Sequence, residues 1–347
     1  MKKLSKYLLW ALLSVGCYGC ATDEPDNENT GATEGNDNSG NGSENNGDGN
    51  EPGASDTWGD LIVTIDGSSS TIQSYKKIDE SSFLIDGIRY LITDTHIDVT
   101  GYDSQTIADS VTIFGEVNIK GISYPTLAIR KGALMNAGFT RCKLPSSLRN
   151  IEPHAFEKSG ITKLVLPEGI NTIESSCFAN SALTDIEIPA SVHAIGSQAF
   201  AYCANLKDVK LPANIILGDS AFTQSGLKSV EVNSPSIPPY AFNDCADLSS
   251  VTLEAGQIRP HAFTGCGSLS AIRMKNATPP AIDQSFDITD GSKHPAKLHV
   301  SKSSYYHYIF SEWGDLFNVY DESGNNLSAG WEKLGIGTFT EGFVTQY

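Results

Sequence analysis

A motif of about 22 residues recurs along most of the chain, and this repetition constrains the fold more than any other feature. An Ala-Phe pair or its equivalent marks each unit: Ala133-Leu134, Ala155-Phe156, Cys177-Phe178, Ala199-Phe200, Ala221-Phe222, Ala241-Phe242 and Ala262-Phe263. Successive pairs lie 22, 22, 22, 22, 20 and 21 residues apart. A fixed period in this range is typical of a solenoid, in which each repeat packs only on its neighbours. The sequence therefore predicts seven stacked coils between Ile129 and Ile282.

Each unit also contains a short strand pattern, as in "ITKLVLP", "LTDIEIP" and "LKDVKLP". Apolar residues at i, i+3 and i+5 alternate with polar residues at the end, which predicts a strand with one buried face. Pro167, Pro189 and Pro212 end these strands because proline has no N–H to give to a sheet. Ala allows the coils to approach closely, and Phe is predicted to fill the centre of each coil. A lone unit cannot bury its own apolar face, so the coils are expected to stack into one parallel sheet.

The full pattern I-x-x-x-A-F-x-x-C-x-x-L-x-x-V-x-L-P resembles the BspA-type leucine-rich repeats of surface proteins from Bacteroides and related bacteria. The resemblance covers residues 129–282, and "FGEVNIKGISYPTLAI" and "PAKLHVSKSSYYHYIFSEWGDLFNVYD" resemble the segments that precede and follow such repeats. It implies a β-rich leucine-rich-repeat solenoid with a parallel sheet on one side, an N-terminal β cap and a C-terminal cap. The Asn that follows the strand in typical leucine-rich repeats is absent, which leaves the curvature open.

Cysteine and histidine positions favour packing over chemistry. One repeated position, four residues after the Ala of each pair, holds Ser159, Ser181, Cys203, Ser225, Cys245 and Cys266. Units with Cys have one more residue before the next apolar anchor, which indicates two turn variants with Cys as a small buried group. His154 and His261 occupy a position that also accepts Ser, Gln and Tyr, which predicts exposure to solvent. No catalytic motif, metal-ligand spacing or cofactor fingerprint is found, so the sequence predicts neither an enzyme nor a metal or cofactor site.

The N-terminus indicates secretion. Three lysines precede the apolar run "YLLWALLSVG", which is too short to span a bilayer as a permanent helix. The cysteines that follow resemble a bacterial lipoprotein signal. Cys20 is the preferred lipidation site because Asp23 and Glu24 then follow the anchor, as in surface-exported lipoproteins of the Bacteroides group, and Cys17 is the alternative. This implies an outer-membrane lipoprotein exposed on the surface of a Gram-negative cell and held in the membrane by its lipid anchor only.

Composition divides the chain into six segments. Residues 1–20 form the lipoprotein signal, and residues 21–57 are predicted to be a disordered acidic tether rich in Asn and Gly. A β-rich cap region (58–128), the seven repeats (129–282), a C-terminal cap (283–325) and a tail of unknown structure (326–347) follow. The tether has ten acids and no Lys or Arg, so it accounts for −10 of the net charge of −17 and leaves −7 elsewhere. No segment is basic enough to predict a nucleic-acid partner.

The outer face of the sheet is the candidate binding surface, because extended solenoid faces commonly bind partners. Its positions are Arg141, Lys143, Lys163, Val165, Asp185, Glu187, Asp208, Lys210, Ser229, Glu231, Thr252 and Arg273. This face is polar and basic at its start, and it lacks an aromatic row. A solvated face that binds nothing is the alternative for any single residue.

The family resemblance implies a non-catalytic protein that adheres to a host or bacterial surface protein. The alternative function is a glycan-binding accessory lipoprotein of a polysaccharide-uptake system. For that function the aromatic closing segment would supply the site, with Tyr305, Tyr306 and Trp313 as candidates, although a capping role for this segment is favoured.

Overall fold

The computed structural model describes residues 58–65, 67–287 and 293–329. The predicted signal, lipidation site and tether, and the tail from residue 330 onward, lie outside the described residues. The N-terminal β region contains β1 (Leu61–Ile65), β2 (Ser68–Ile72), β3 (Lys76–Lys77), β4 (Ser82–Ile85), β5 (Ile88–Ile92), β6 (Ile97–Tyr102), β7 (Ser110–Thr112), β8 (Glu116–Ile119) and β9 (Ile122–Ile129).

The repeats and the closing segment supply the remaining elements. The repeats contain β10 (Arg141–Lys143), β11 (Asn150–Ile151), β12 (Lys163–Val165), β13 (Thr172–Ile173), β14 (Asp185–Glu187), β15 (Ala194–Ile195), β16 (Ile216–Leu217), β17 (Ser229–Ser234), β18 (Ser250–Ala255), β19 (Gln257–Ile258), β20 (Ala271–Met274) and β21 (Ala281–Ile282). The closing segment contains β22 (Lys297–His299), α1 (Tyr305–Ile309), α2 (Glu312–Leu316) and β23 (Asn318–Tyr320). Within the described ranges, no helix has both the length and the apolar run that crossing a bilayer requires.

Eight of the nine strands of the N-terminal β region form one mixed sheet, which leads directly into the coils. Its strand order is β2-β1-β8-β9-β6-β5-β4-β3, and its pairs are antiparallel except for β6 with β9. A turn at Asp86-Gly87 joins β4 to β5, and both residues have positive φ, at 50° and 79°. Strand β7 pairs in parallel with β10, and β9 pairs in parallel with β11. The region therefore covers the first coil, as the end of a solenoid requires.

The outer sheet of the solenoid consists of two parallel panels. The first panel has the order β7-β10-β12-β14, and the second has the order β17-β18-β20-β22-β23. Strands β10, β12 and β14 span three residues each and are followed within two residues by proline. The corresponding positions of the second panel hold Asn233 and Glu254, and β17 and β18 span six residues, with β17 ending directly before Pro235. The predicted role of proline in ending these strands is therefore confirmed for Pro167 and Pro189, whereas no strand precedes Pro212.

The prediction of a strand in every unit is wrong for the fourth unit, where residues 208–211 form no strand and separate the panels. Elsewhere in the first panel a hydroxyl ladder supports the stacking. Thr162 donates to the carbonyl of Thr140 at 3.1 Å, and Thr184 donates to the carbonyl of Thr162 at 3.0 Å. The fourth unit has Lys207 at this position, and its Nζ donates to the carbonyl of Ala204 in its own coil at 3.0 Å and to the carboxylate of Asp247 at 3.2 Å.

A second ladder of two-residue strands leads into the Ala-Phe turns. In each turn the residue before Ala and the second residue after Phe have positive φ, as at His154 (62°) and Lys158 (56°). Amide groups then donate alternately to the next coil and within their own coil: Phe156 donates to Cys177 at 2.9 Å, and Glu157 donates to His154 at 3.1 Å. This alternation satisfies the turn amides even though the turn lies against the core.

The Phe side chains form a continuous column through the solenoid, as predicted. Seven rings stack in parallel with centroids 5.1–5.4 Å apart and interplanar angles of 4–17°. They are Phe156, Phe178, Phe200, Phe222, Phe242, Phe263 and Phe286. The column thus extends one ring beyond the last predicted repeat. It ends in edge-on contacts with Phe139 at one end and with Trp313 and Phe317 at the other.

The closing segment covers the last coil with aromatic side chains. Trp313 is 1% exposed and donates its indole N–H to the carbonyl of Pro280 at 2.9 Å. Tyr308 is fully buried, and its hydroxyl donates to the carbonyl of Asn276 at 3.1 Å. Naming Trp313 as a candidate glycan residue was therefore wrong, because its ring packs on the Phe column and cannot reach a ligand. The β-rich solenoid predicted from the repeats is confirmed.

Candidate binding site

The structure places the twelve candidate side chains in three groups. Six lie on the first panel: Arg141, Lys143, Lys163, Val165, Asp185 and Glu187. Four lie on the second panel: Ser229, Glu231, Thr252 and Arg273. Asp208 and Lys210 lie in the break between the panels. All are exposed except Thr252, which is half-buried. The face is therefore accessible, but it is not one continuous sheet.

Charge on the first panel changes sign between its second and third coils. Arg141 lies beside Lys163 in the register, and Lys163 lies beside Asp185. The ammonium of Lys163 is 3.7 Å from the carboxylate of Asp185, with both side chains more than half exposed. A solvated ion pair of this kind contributes about 0–1 kcal/mol, so Lys163 can exchange Asp185 for another carboxylate at little cost.

A groove of about 920 Å³ opens between the first and second coils, beside β10 and β12, whose exposed side chains include Lys143 and Lys163. Its lining residues are Cys142, Lys143, Leu144, Ser146, Arg149, Lys163, Leu164, Val165, Pro167, Glu168, Gly169 and Asn171. Three of the lining side chains are cationic and one is a carboxylate. Val165 is 59% exposed and gives the groove an apolar surface. The arrangement combines a basic rim with apolar contact area.

The groove lies where β10 and β12 pair only at their first residue. β7 pairs with β10 over three residues, and β12 pairs with β14 over three, but β10 pairs with β12 only at Arg141 and Lys163. In the flanking coils the Ile113 amide donates to Lys143 at 2.9 Å and the Leu166 amide donates to Glu187 at 3.0 Å. Among the backbone bonds of the described chain, the equivalent bond from Leu144 to Val165 is missing. An amide donor and a carbonyl acceptor therefore border the gap, which we call the seam.

Arg149 forms a wall of the groove and was missed by the sequence argument. Its Nη1 donates to the carbonyls of Ser146 at 2.8 Å and Leu148 at 2.9 Å, which orients the guanidinium. Gly169 leaves room for it, since a Cβ there would lie 2.3 Å from Nη1 and 2.5 Å from the Leu148 carbonyl oxygen. The residues predicted for this face all come from the strand pattern, whereas Arg149 lies after the strand, beyond Pro145. The signal that could have found it is a third cation close in sequence to Arg141 and Lys143.

The cysteines take part in packing, as predicted. Cys203, Cys245 and Cys266 are buried, and each thiol lies 3.0–3.1 Å from the carbonyl of a Phe in the preceding coil. Burial raises the pKa of the Cys203 thiol to about 11, which disfavours the nucleophilic thiolate. Among the described residues, no group of three or more His, Cys, Asp and Glu side chains is arranged to hold a metal ion.

Comparison with solved structures finds leucine-rich repeat proteins. One from Bacteroides ovatus is 20% identical, with 71% of this chain and 69% of that chain covered and a TM-score of 0.41. One from Bacteroides capillosus is 24% identical, with 42% of this chain and 93% of that chain covered and a TM-score of 0.29. The pneumococcal vaccine antigen PcpA is 13% identical, with 70% and 98% covered and a TM-score of 0.38.

The repeats themselves identify the family. No curated protein matches the sequence. The family model described as the BspA type leucine rich repeat region matches in six copies over residues 127–248 and 235–320, which is more than half of the 347 residues. The chain therefore belongs to the family of proteins with BspA-type leucine-rich repeats.

Proposed function

We propose that this chain is a surface-displayed, non-catalytic binding protein that adheres to a host or bacterial surface protein through its first panel. The observation that carries the proposal is the open groove with a basic rim on an otherwise acidic molecule. A repeat scaffold with both ends covered holds such a surface rigid, because each coil is packed on two neighbours. The family is compatible with a binding role, and surface display is typical of it.

The proposal is tested by binding the purified protein to an array that carries extracellular-matrix proteins, plasma proteins and glycans. Charge reversal at Arg141 or Lys143 on the first panel should weaken a protein hit, because both side chains lie on that exposed face. Charge reversal at Lys228, which is exposed but lies outside both panels, is the matched control. Absence of any protein hit, or equal loss with the Lys228 variant, would refute adhesion through the first panel.

Surface display has a separate test, because the predicted lipidation site lies outside the described residues. Intact cells are treated with protease, and the protein is then detected by blotting, with a Cys20→Ala variant compared with a Cys17→Ala variant. Cleavage on intact cells and loss of membrane retention in the Cys20→Ala variant are expected. Full protection from protease would place the protein inside the outer membrane and exclude adhesion.

Glycan binding remains the second candidate because one pair of rings is exposed. Tyr306 and Phe310 are 50% and 54% exposed, and their rings lie 6.5 Å apart with an interplanar angle of 6°. Parallel exposed rings can stack on sugar faces through apolar contact. A glycan hit on the array that is lost in a Tyr306→Ala, Phe310→Ala double variant and kept in Lys143→Glu would favour this function over protein adhesion.

A further inference from the structure

The groove on the first panel has a chemistry that narrows the class of its partner. We infer that it binds an extended, acidic segment of a partner protein that also carries apolar side chains. This inference rests on the proposed function and specifies what the adhesion surface recognises. It follows from three features of the groove: its cations, its apolar surface and the two backbone groups at the seam.

The cations favour carboxylates. Lys143, Lys163 and Arg149 line the groove against a single carboxylate, Glu168. Lys163 holds Asp185 only through a solvated contact of 3.7 Å. The bonds that orient Arg149 use Nη1, so its remaining N–H groups can donate to a carboxylate in the planar, two-bond geometry that guanidinium favours.

The apolar surface favours a peptide over a simple anion. Val165 stands 59% exposed at the centre of β12, on a face where the other positions are polar. Leu144, Leu164 and Pro167 also line the groove. A bare anion would leave this surface in water, whereas a Leu or Phe side chain would cover it and gain roughly 25 cal/mol for each Å² of apolar area buried.

The seam offers the groups that an extended backbone needs. The Leu144 amide lacks the bond to the Val165 carbonyl that both flanking coils make at the equivalent position. A peptide in extended conformation presents alternating N–H and C=O groups, and strand addition uses such bonds for affinity while side chains give specificity. The seam therefore suits a peptide whose carbonyl accepts a hydrogen bond from the Leu144 amide and whose amide donates one to the Val165 carbonyl.

The positive charge of the first panel covers only two coils, which argues against a long, uniformly charged polyanion as the ligand. One coil beyond Lys163 the panel carries Asp185 and Glu187, both exposed. A sulfated polysaccharide that ran along the sheet would meet like charge within one strand spacing, which is about 4.8 Å. A short acidic segment confined to the groove avoids this repulsion. The sign change thus favours a peptide with a limited run of carboxylates.

The inference is tested with purified full-length protein and fluorescent decapeptides of alternating Glu and Leu, in which Gln or Lys replaces Glu in matched controls. Fluorescence anisotropy should give a Kd at least about tenfold lower for the Glu peptide than for the Gln peptide, and binding should weaken with added salt. Lys163→Glu should weaken binding by about tenfold or more, and Val165→Asp should weaken it as well. Lys228→Glu makes the same charge change outside the groove and should leave binding unchanged.

Three results would overturn the inference: equal binding of the Glu and Gln peptides, equal loss in the Lys228→Glu variant, or binding of heparin with no binding of the Glu peptide. Thermal unfolding of each variant shows whether it folds like the parent. A variant that does not fold is replaced by Lys143→Gln, which removes one charge at an exposed position. If the array protein still binds the Lys163→Glu variant, the groove assignment fails while adhesion stands. If no array protein binds the parent, adhesion itself fails.

Discussion

The Phe column makes the strongest prediction about stability, and Phe200 lies at its middle. Its side chain is fully buried between Phe178 at 5.4 Å and Phe222 at 5.1 Å. Truncation of a core Phe to Ala costs about 3–5 kcal/mol in total, and the loss of two ring pairs, worth about 0.5–1.5 kcal/mol each, places Phe200 in the upper part of that range. We therefore expect Phe200→Ala to cost roughly 4–5 kcal/mol. Phe200→Leu keeps most of the apolar volume and loses both ring contacts, so it should cost roughly 2 kcal/mol.

Urea unfolding followed by far-ultraviolet circular dichroism measures these costs. The matched control is Tyr202→Ala, which removes an exposed aromatic ring from the same coil and should change the free energy of unfolding by less than about 0.5 kcal/mol. A lower urea dependence in Phe200→Ala would show that the coils on either side unfold separately. If Ala and Leu at position 200 cost the same, or if Ala costs less than about 1.5 kcal/mol, the column does not hold the coils together in the way argued.

Three further predictions concern a buried ion pair, a buried thiol and the break between the two panels. Arg130→Ala removes the guanidinium whose Nε donates to the fully buried carboxylate of Asp98 at 2.9 Å, so it should lower the free energy of unfolding by about 3 kcal/mol. Adding Asp98→Asn removes the buried charge and should restore part of that loss. Burial raises the pKa of the Cys203 thiol, so the unfolded chain loses this proton at lower pH than the folded chain does. The free energy of unfolding should therefore fall from about pH 8.5 to about pH 11. Cys203→Ser should reduce that fall, as measured by urea unfolding at each pH. Hydrogen exchange should be faster at residues 208–211 than at β17 (229–234), because the former make no sheet bonds in the described chain; equal protection would contradict the division into panels.

Part of the candidate site could be read from the repeat alignment. Strand residues alternate between the core and solvent, so Lys143, Lys163 and Val165 could be placed on the outer face without coordinates. The groove could not be predicted in this way. It depends on the early separation of β10 from β12, which no repeated residue marks, and on Arg149 reaching back from the following loop.

The sequence by itself determined the solenoid, its coil length and the residues at its centre. A 22-residue unit cannot bury its own apolar face, so repetition of Ala-Phe and of alternating strand residues leaves stacking as the one way to form a core. Tertiary structure alone decided where the stacking is imperfect: the break at residues 208–211 and the seam beside Leu144. The physical reason is that hydrogen bonds between coils depend on the relative register of two units, and that register is a property of the pair, whereas a repeat pattern describes each unit separately.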